Sequence, residues 1–146
     1  MNLIEISQTG EPAKPINGLP AIAGDVGSNY AAIYKKTGYI RPWTGYVAVI
    51  DSQCIGTCGF KSPPENGRVE IAYFTFPEYE GRGYATLMAH MLLEMARITD
   101  PHITVIAQTL PQKGASTRIL EKIGFKLTGS IHHPEDGEVW EWEYTE

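Results

Sequence analysis

At 146 residues and a net charge of −5, the chain is sized for one domain around a single core. Its acidity excludes a binder of phosphate backbones, which needs a basic stripe. Hydrophobic residues make up 42% and charged residues 20%, the balance of a soluble globular protein and not of a disordered one. No apolar run approaches the roughly 20 residues that span a bilayer, and Met1-Asn2-Leu3-Ile4-Glu5 lacks the basic and apolar regions of a signal peptide. One soluble domain over residues 1–146, in the cytoplasm, with no nucleic acid or membrane as partner, is therefore expected.

Leu3–Ser7 reads as a short first strand, and Gly10–Pro20, with Pro12, Pro15 and Gly18, as loop. Ile22, Val26, Tyr30, Ile33 and Tyr34 recur at helical spacing, which predicts a helix within Leu19–Thr37, split by Gly24 and Gly27 and stopped at Gly38. Gly45–Ile50 and Cys54–Lys61 read as a hairpin turning at Asp51-Ser52-Gln53. Cys54 and Cys58, four residues apart in one strand, are expected to point the same way, buried and reduced, too far apart to bridge. Without His or Cys partners nearby they make no metal pair.

Pro63-Pro64-Glu65-Asn66-Gly67 is a turn signal. Arg68–Phe76 follows, apolar on both faces except for Glu70, which predicts a central strand covered on both sides. A helix from Tyr84 to Ile98 and a strand at Ile103–Ala107 complete a strand, helix, strand order that reads as a parallel crossover. A short helix at Ala115–Ile123 ends at Gly124. Phe125–Ile131 and Glu138–Tyr144 then form an antiparallel pair with Trp140, Trp142 and Tyr144 on one face, to which no chemistry is assigned. The late acidic residues, Glu135, Asp136, Glu138, Glu141, Glu143 and Glu146, read as a solvated edge strand and tail. The fold class is mixed α/β on one central sheet.

The stretch Glu80-Gly81-Arg82-Gly83-Tyr84-Ala85-Thr86 joins the apolar strand to the helix. A glycine turn that opens a helix gathers unpaired N–H groups at the positive end of the helix dipole, an anion site suited to phosphate. A dinucleotide fingerprint wants a third glycine and an early βαβ position, and a Walker loop wants Gly-Lys-Ser/Thr; neither is present.

These residues resemble the pyrophosphate loop of the GNAT superfamily of acyl-CoA-dependent N-acyltransferases, written Gln/Arg-x-x-Gly-x-Gly/Ala, with Glu80 departing at the first position. Ala115-Ser116-Thr117-Arg118-Ile119-Leu120-Glu121-Lys122-Ile123-Gly124-Phe125 is similar to a segment of the branch that includes ribosomal-protein N-terminal acetyltransferases; there an Asn commonly stands where Lys113 is. The resemblance spans roughly Tyr46 to Phe125. It implies a single GNAT-like domain: a mixed sheet of about six to seven strands with a splayed parallel pair, and about four helices. It also implies acetyl-CoA as cosubstrate with no metal, Phe74, Thr75 and Phe76 contacting pantetheine through the main chain, and Arg82, Gly83, Tyr84, Ala85 and Thr86 cradling the pyrophosphate. The implied activity is transfer of an acetyl group to a primary amine, on a small molecule or a protein N-terminus, by a chain that could form a homodimer. The alternative is a non-catalytic acyl-CoA-binding module.

The reaction needs a base, because a protonated amine is not a nucleophile. Glu70, the acidic residue of the central strand, is the candidate; its other reading is a solvent-facing carboxylate or an ion pair with Arg68. The departing thiolate needs a hydrogen-bond donor. Ser116 matches the residue with that role in the Rim-type branch, and an N-cap is its other reading. His132-His133 is a weaker candidate base. Tyr30, Tyr34, Tyr39, Arg41 and Trp43 come from the region that shapes the acceptor pocket in this superfamily, and only part of that set is expected to do so.

Overall fold

Two tight turns set the register of the first half of the sheet. Asp51 and Ser52 carry φ of 49° and 67° and close β2 (Gly45–Ile50) onto β3 (Gln53–Phe60). Asn66 and Gly67, at 52° and 72°, close the turn that leads into β4 (Arg68–Thr75). Positive φ at both central residues gives a turn whose twist matches that of paired strands, and Asn, Asp and Gly tolerate it best. The computed structural model describes residues 1–145; Glu146, the last of the late acidic residues, lies outside the described residues.

Among the described residues seven strands form one sheet in the order β1-β2-β3-β4-β5-β7-β6. β1 (Asn2–Glu5) pairs with β2, and β3 with β4, all antiparallel. The chain then runs through a 3₁₀ turn (Pro77–Tyr79) and α2 (Tyr84–Thr99) to β5 (Thr104–Thr109), parallel to β4. After α3 (Ala115–Lys122) comes the hairpin β6 (Lys126–His133) and β7 (Gly137–Tyr144), with β7 inserted beside β5. Among the described residues there are three α-helices and the 3₁₀ turn where about four helices were expected.

The core lies in two layers, one on each face of the sheet. On one face Ile55, Phe60, Val69, Ile71, Val105 and Trp142 pack with Met88, Leu92 and Ala96 of α2 and Leu120 of α3. On the other, Ile6, Val47, Cys54 and Phe76 pack with Ala23, Tyr30 and Tyr34 of α1 (Ala21–Thr37).

Three expectations change. The helix α1 is continuous through Gly24 and Gly27. Gly27 serves close approach instead of helix breaking, since a Cβ there would stand 2.1 Å from the carbonyl oxygen of Gly10. Cys54 and Cys58 are free and buried but lie on opposite faces, Cys54 in the α1 layer and Cys58 in the α2 layer. The cause is a bulge: Ala48 pairs with Gly56 and Val49 with Cys54, so Ile55 is the extra residue and the side-chain alternation flips there.

The third change concerns β4, which sits fourth of seven but is not covered on both sides. α1 packs on β2 and β3, and the Glu70, Ala72 and Phe74 side of β4 stays open, with Phe74 44% exposed.

Candidate functional site

β4 and β5 pair only at Arg68 with Thr104, Val69 with Val105 and Glu70 with Ile106. Beyond that rung β4 continues to Thr75 held by β3, and β5 continues to Thr109 held by β7. The two parallel strands therefore part in mid-sheet, and the β4 edge from Ile71 onward faces β5 without a ladder. Unpaired main-chain groups at such an edge need other partners.

A cleft of about 480 Å³ opens beside the last residues of β4, between the connecting turn and α3. Its walls are Tyr73, Phe74 and Thr75 of β4; Tyr79, Glu80, Gly81 and Gly83 of the connecting turn; Tyr84, Ala85 and Thr86 of α2; and Ala115, Ser116, Arg118, Ile119 and Lys122 of α3. Gly81 and Gly83 hold φ of 78° and 81°, a region costly for any residue with a Cβ. Among the described residues, no protein acceptor takes the main-chain N–H groups of residues 81–86; the first one engaged is that of Leu87, donated to the Gly83 carbonyl at 3.2 Å. These donors stand at the positive end of a 16-residue helix, an arrangement that holds phosphate oxygens.

The expected residues divide by position. Phe74, Thr75, Gly83, Tyr84, Ala85, Thr86 and Ser116 line the cleft. Phe76 does not: its ring is buried in the α1 layer and its N–H is donated to the Ile55 carbonyl at 3.0 Å. The Arg82 side chain turns outward, its guanidinium 5.7 Å from the centre of the Tyr79 ring. Ser116 is exposed at the second residue of α3 and is not its cap. Gly114 takes that position, and the Thr117 hydroxyl closes the turn by accepting from the Gly114 N–H at 2.9 Å and donating to the Gly114 carbonyl at 3.0 Å. Lys113 lies outside the cleft, 3.4 Å from Glu121 Oε1 and over the Trp142 ring.

Glu70 sits at the last paired rung, with its side chain on the face opposite Tyr73 and Thr75. Its partner is Lys61, with Nζ 2.7 Å from Oε2. Arg68 is engaged elsewhere, by Glu141 at 2.9 Å and Glu143 at 3.1 Å. Glu70 thus fits neither form of its other reading, a solvent-facing carboxylate or an ion pair with Arg68.

The residues expected around an acceptor do not converge on Glu70. Tyr30 donates to the Phe60 carbonyl at 3.1 Å, and Trp43 packs edge-on against Phe60. Tyr34 lies in the same layer as Tyr30. Tyr39 and Arg41 both donate to Glu5 of β1, at the far edge of the sheet. His133 Nδ1 accepts the N–H groups of Glu135 and Asp136, each at 3.2 Å, and so closes the β6–β7 turn.

Sequence reasoning missed Tyr73, Tyr79, Arg118, Ile119 and Lys122 as cleft residues. The signal for the last three was available: with Ala115 they recur at positions three and four apart on one side of α3. Arg118 and Lys122 bring two cations to the α3 wall of the same cleft. Burial pushes the Tyr73 phenol up to about 12, which keeps it protonated.

A family model described as an acetyltransferase (GNAT) domain matches residues 17–126. The chain is 25% identical over 128 residues to an uncharacterized N-acetyltransferase p20 of Bacillus licheniformis, covering 87% of this chain and 63% of that protein. It is 26% identical over 89 residues to an N-acetylaspartate synthetase of Xenopus tropicalis, covering 60% of this chain and 32% of that one. The chain thus spans less than two thirds of the length of these curated relatives. Among solved structures, the ribosomal L7/L12 alpha-N-protein acetyltransferase RimL in complex with coenzyme A shares the fold, with a TM-score of 0.69 at 14% identity over 86% of this chain and 72% of that one.

Proposed function

The chain belongs to the GNAT acetyltransferase family, and from that membership we propose that it transfers an acetyl group from acetyl-CoA directly to a primary amine. The observation that carries this reading is the pairing of a mid-sheet parting between β4 and β5 with a glycine turn whose N–H groups have no protein acceptor among the described residues. RimL, which shares the fold, is a complex with coenzyme A. In this reading the N–H groups of residues 82–86 hold the pyrophosphate, and the main chain of Tyr73 and Thr75, which alternates away from β3 onto the free edge of β4, holds the pantetheine amides. Arg118 and Lys122 add charge for the phosphates.

The parting opens the sheet from one face to the other. Acetyl-CoA would enter from the α2 and α3 side, and the amine from the open face of Glu70 and Phe74. Glu70 receives the amine proton, directly or through water, as the nitrogen attacks the thioester carbon. A main-chain N–H on the free edge of β4 polarises the carbonyl oxygen. Ser116 offers a hydroxyl from the opposite wall. The acceptor is a small amine or a protein N-terminus.

Isothermal calorimetry with acetyl-CoA, followed by thiol release with a panel of amines, tests the proposal. Binding of CoA compounds with amine-dependent thiol release supports it. Binding without release would make the chain an acyl-CoA-binding module, and binding of NAD in place of CoA would overturn the reading. Glu70→Gln should lower turnover about 10²-fold or more while leaving acetyl-CoA affinity unchanged; unaltered turnover removes Glu70 from the mechanism.

A further inference from the structure

Among the described residues, two hydroxyls on β4 lack a protein partner, one buried and one facing the cleft. Tyr73 and Thr75 stand two residues apart, so both side chains leave the strand on the face packed against α2 and α3. Thr75 Oγ1 is buried and has no hydrogen-bond partner among the described residues. The Tyr73 ring packs at the margin of the core and lines the cleft, and among the described residues its hydroxyl meets no protein acceptor. That hydroxyl is not sealed in the core and is free to meet a ligand in the cleft. A ligand lying in the cleft would supply both.

The order along the cleft assigns the roles. From the glycine turn inward, a bound molecule passes Thr75, then Tyr73 about 6.6 Å deeper, then the rung at Glu70 where the strands join. With the pyrophosphate at the turn, the amides of the pantetheine arm come first and the sulfur last. We propose that the Tyr73 hydroxyl is the hydrogen-bond donor to the departing CoA thiolate; this rests on the reading of the cleft as the acetyl-CoA site. The amine nitrogen forms a bond to the carbonyl carbon, the carbon–sulfur bond breaks, and the electron pair goes to sulfur. Tyr73 stabilises that charge by a short O–H···S⁻ contact and keeps its own proton; the amine proton goes to Glu70 or solvent, and the thiolate takes up a solvent proton on release. Ser116, exposed on α3, then serves only as a contact to the arm.

The test reads the bound thiol without turnover. Ultraviolet titration of CoA bound to the protein follows thiolate formation in wild type, Tyr73→Phe and Ser116→Ala. Glu80, Arg118, Lys122, Tyr79 and Tyr84 also face the cleft and act on the thiol, but they are the same in all three proteins, so the difference isolates one hydroxyl. A donor to the charged form lowers the thiol pKa, so Tyr73→Phe should cut the thiolate equilibrium about tenfold while Ser116→Ala leaves it alone. Single-turnover acetyl transfer should fall about 10- to 100-fold in Tyr73→Phe, at unchanged acetyl-CoA affinity. Identical titrations for wild type and Tyr73→Phe, or a shift in Ser116→Ala instead, overturn the assignment. Failure of wild type to bind CoA would overturn the cleft reading itself, a distinguishable result.

Discussion

The Lys61 ammonium stands 2.7 Å from Glu70 Oε2, and the two residues are also joined through the main chain, the Lys61 N–H donating to the Glu70 carbonyl at 2.9 Å. The side-chain contact is a close ion pair off the line of a hydrogen bond, for Oε2 has no hydrogen-bond partner among the described residues despite its burial. The lysine side chain is 49% exposed and the carboxylate 18%. An ammonium-bearing acceptor must therefore share or displace Lys61 to reach the carboxylate. Lys61→Met is expected to lower the acceptor KM several-fold, to leave acetyl-CoA affinity unchanged, and to alter stability by no more than about 1 kcal/mol, as for a half-exposed pair. Steady-state kinetics and urea unfolding check this. A raised KM would mean that Lys61 holds the carboxylate in place instead of competing for it.

A second prediction concerns Gly27, where two effects oppose. Replacing a helix-interior glycine by alanine gains roughly 0.5–1 kcal/mol of conformational entropy. Here the new Cβ would stand 2.1 Å from the Gly10 carbonyl oxygen, a main-chain atom that no rotamer change can move. Overpacking of this kind costs about 1–3 kcal/mol, so the clash wins. Gly27→Ala should lower the denaturation midpoint while the cleft, on the other face of the sheet, keeps its affinity for acetyl-CoA. An increase in stability would mean that the Gly10 loop yields freely.

The glycine turn gives a third prediction with the opposite balance. A Cβ on Gly83 meets nothing within 4 Å, so only the backbone at φ 81° objects, at about 1–2 kcal/mol. Gly83→Ala should fold, with a modest loss of stability. Its N–H groups would no longer converge, and acetyl-CoA affinity should fall about tenfold or more by calorimetry. Full stability together with full affinity would show that the turn relaxes without consequence.

What could be read from the residues follows from how local each signal is. The turns at residues 51–52 and 66–67, the glycines that open α2, and the crossover to β5 depend on neighbours in sequence, and they stand where those residues placed them. The cysteine faces could not be read, because one extra residue at Ile55 inverts the alternation and leaves no compositional trace. Gly27 looked like a helix breaker because its reason, the Gly10 main chain, arrives from 17 positions away. Glu70 was legible as the odd carboxylate of an apolar strand, but its partner was not, since Arg68 is drawn off by Glu141 and Glu143 of β7. The open face of β4 depends on how far α1 reaches across the sheet, which no strand pattern contains.

A fourth prediction tests the tyrosine layer under α1. Tyr34 is 5% exposed; its hydroxyl donates to the Ile6 carbonyl at 2.9 Å and accepts the Gly45 N–H at 3.0 Å. Burial pushes its pKa up from 10.0 to about 12, against the opposing pull of the Gly45 N–H. The folded state therefore favours the neutral phenol. Stability from this group is complete below pH 10, where the unfolded chain also keeps its proton, and it is lost between pH 10 and 12, where only the unfolded chain has released it. The loss is of the order of 2–3 kcal/mol. Tyr34→Phe removes this term and leaves the Gly45 N–H and the Ile6 carbonyl without a partner, a cost of about 1–3 kcal/mol at neutral pH. The stability gap between wild type and Tyr34→Phe should therefore be widest at pH 7 and narrow steadily above pH 10, as measured by urea unfolding at a series of pH values. A gap that stays constant up to pH 12 would show that the phenol ionises in the folded protein as readily as in the unfolded chain.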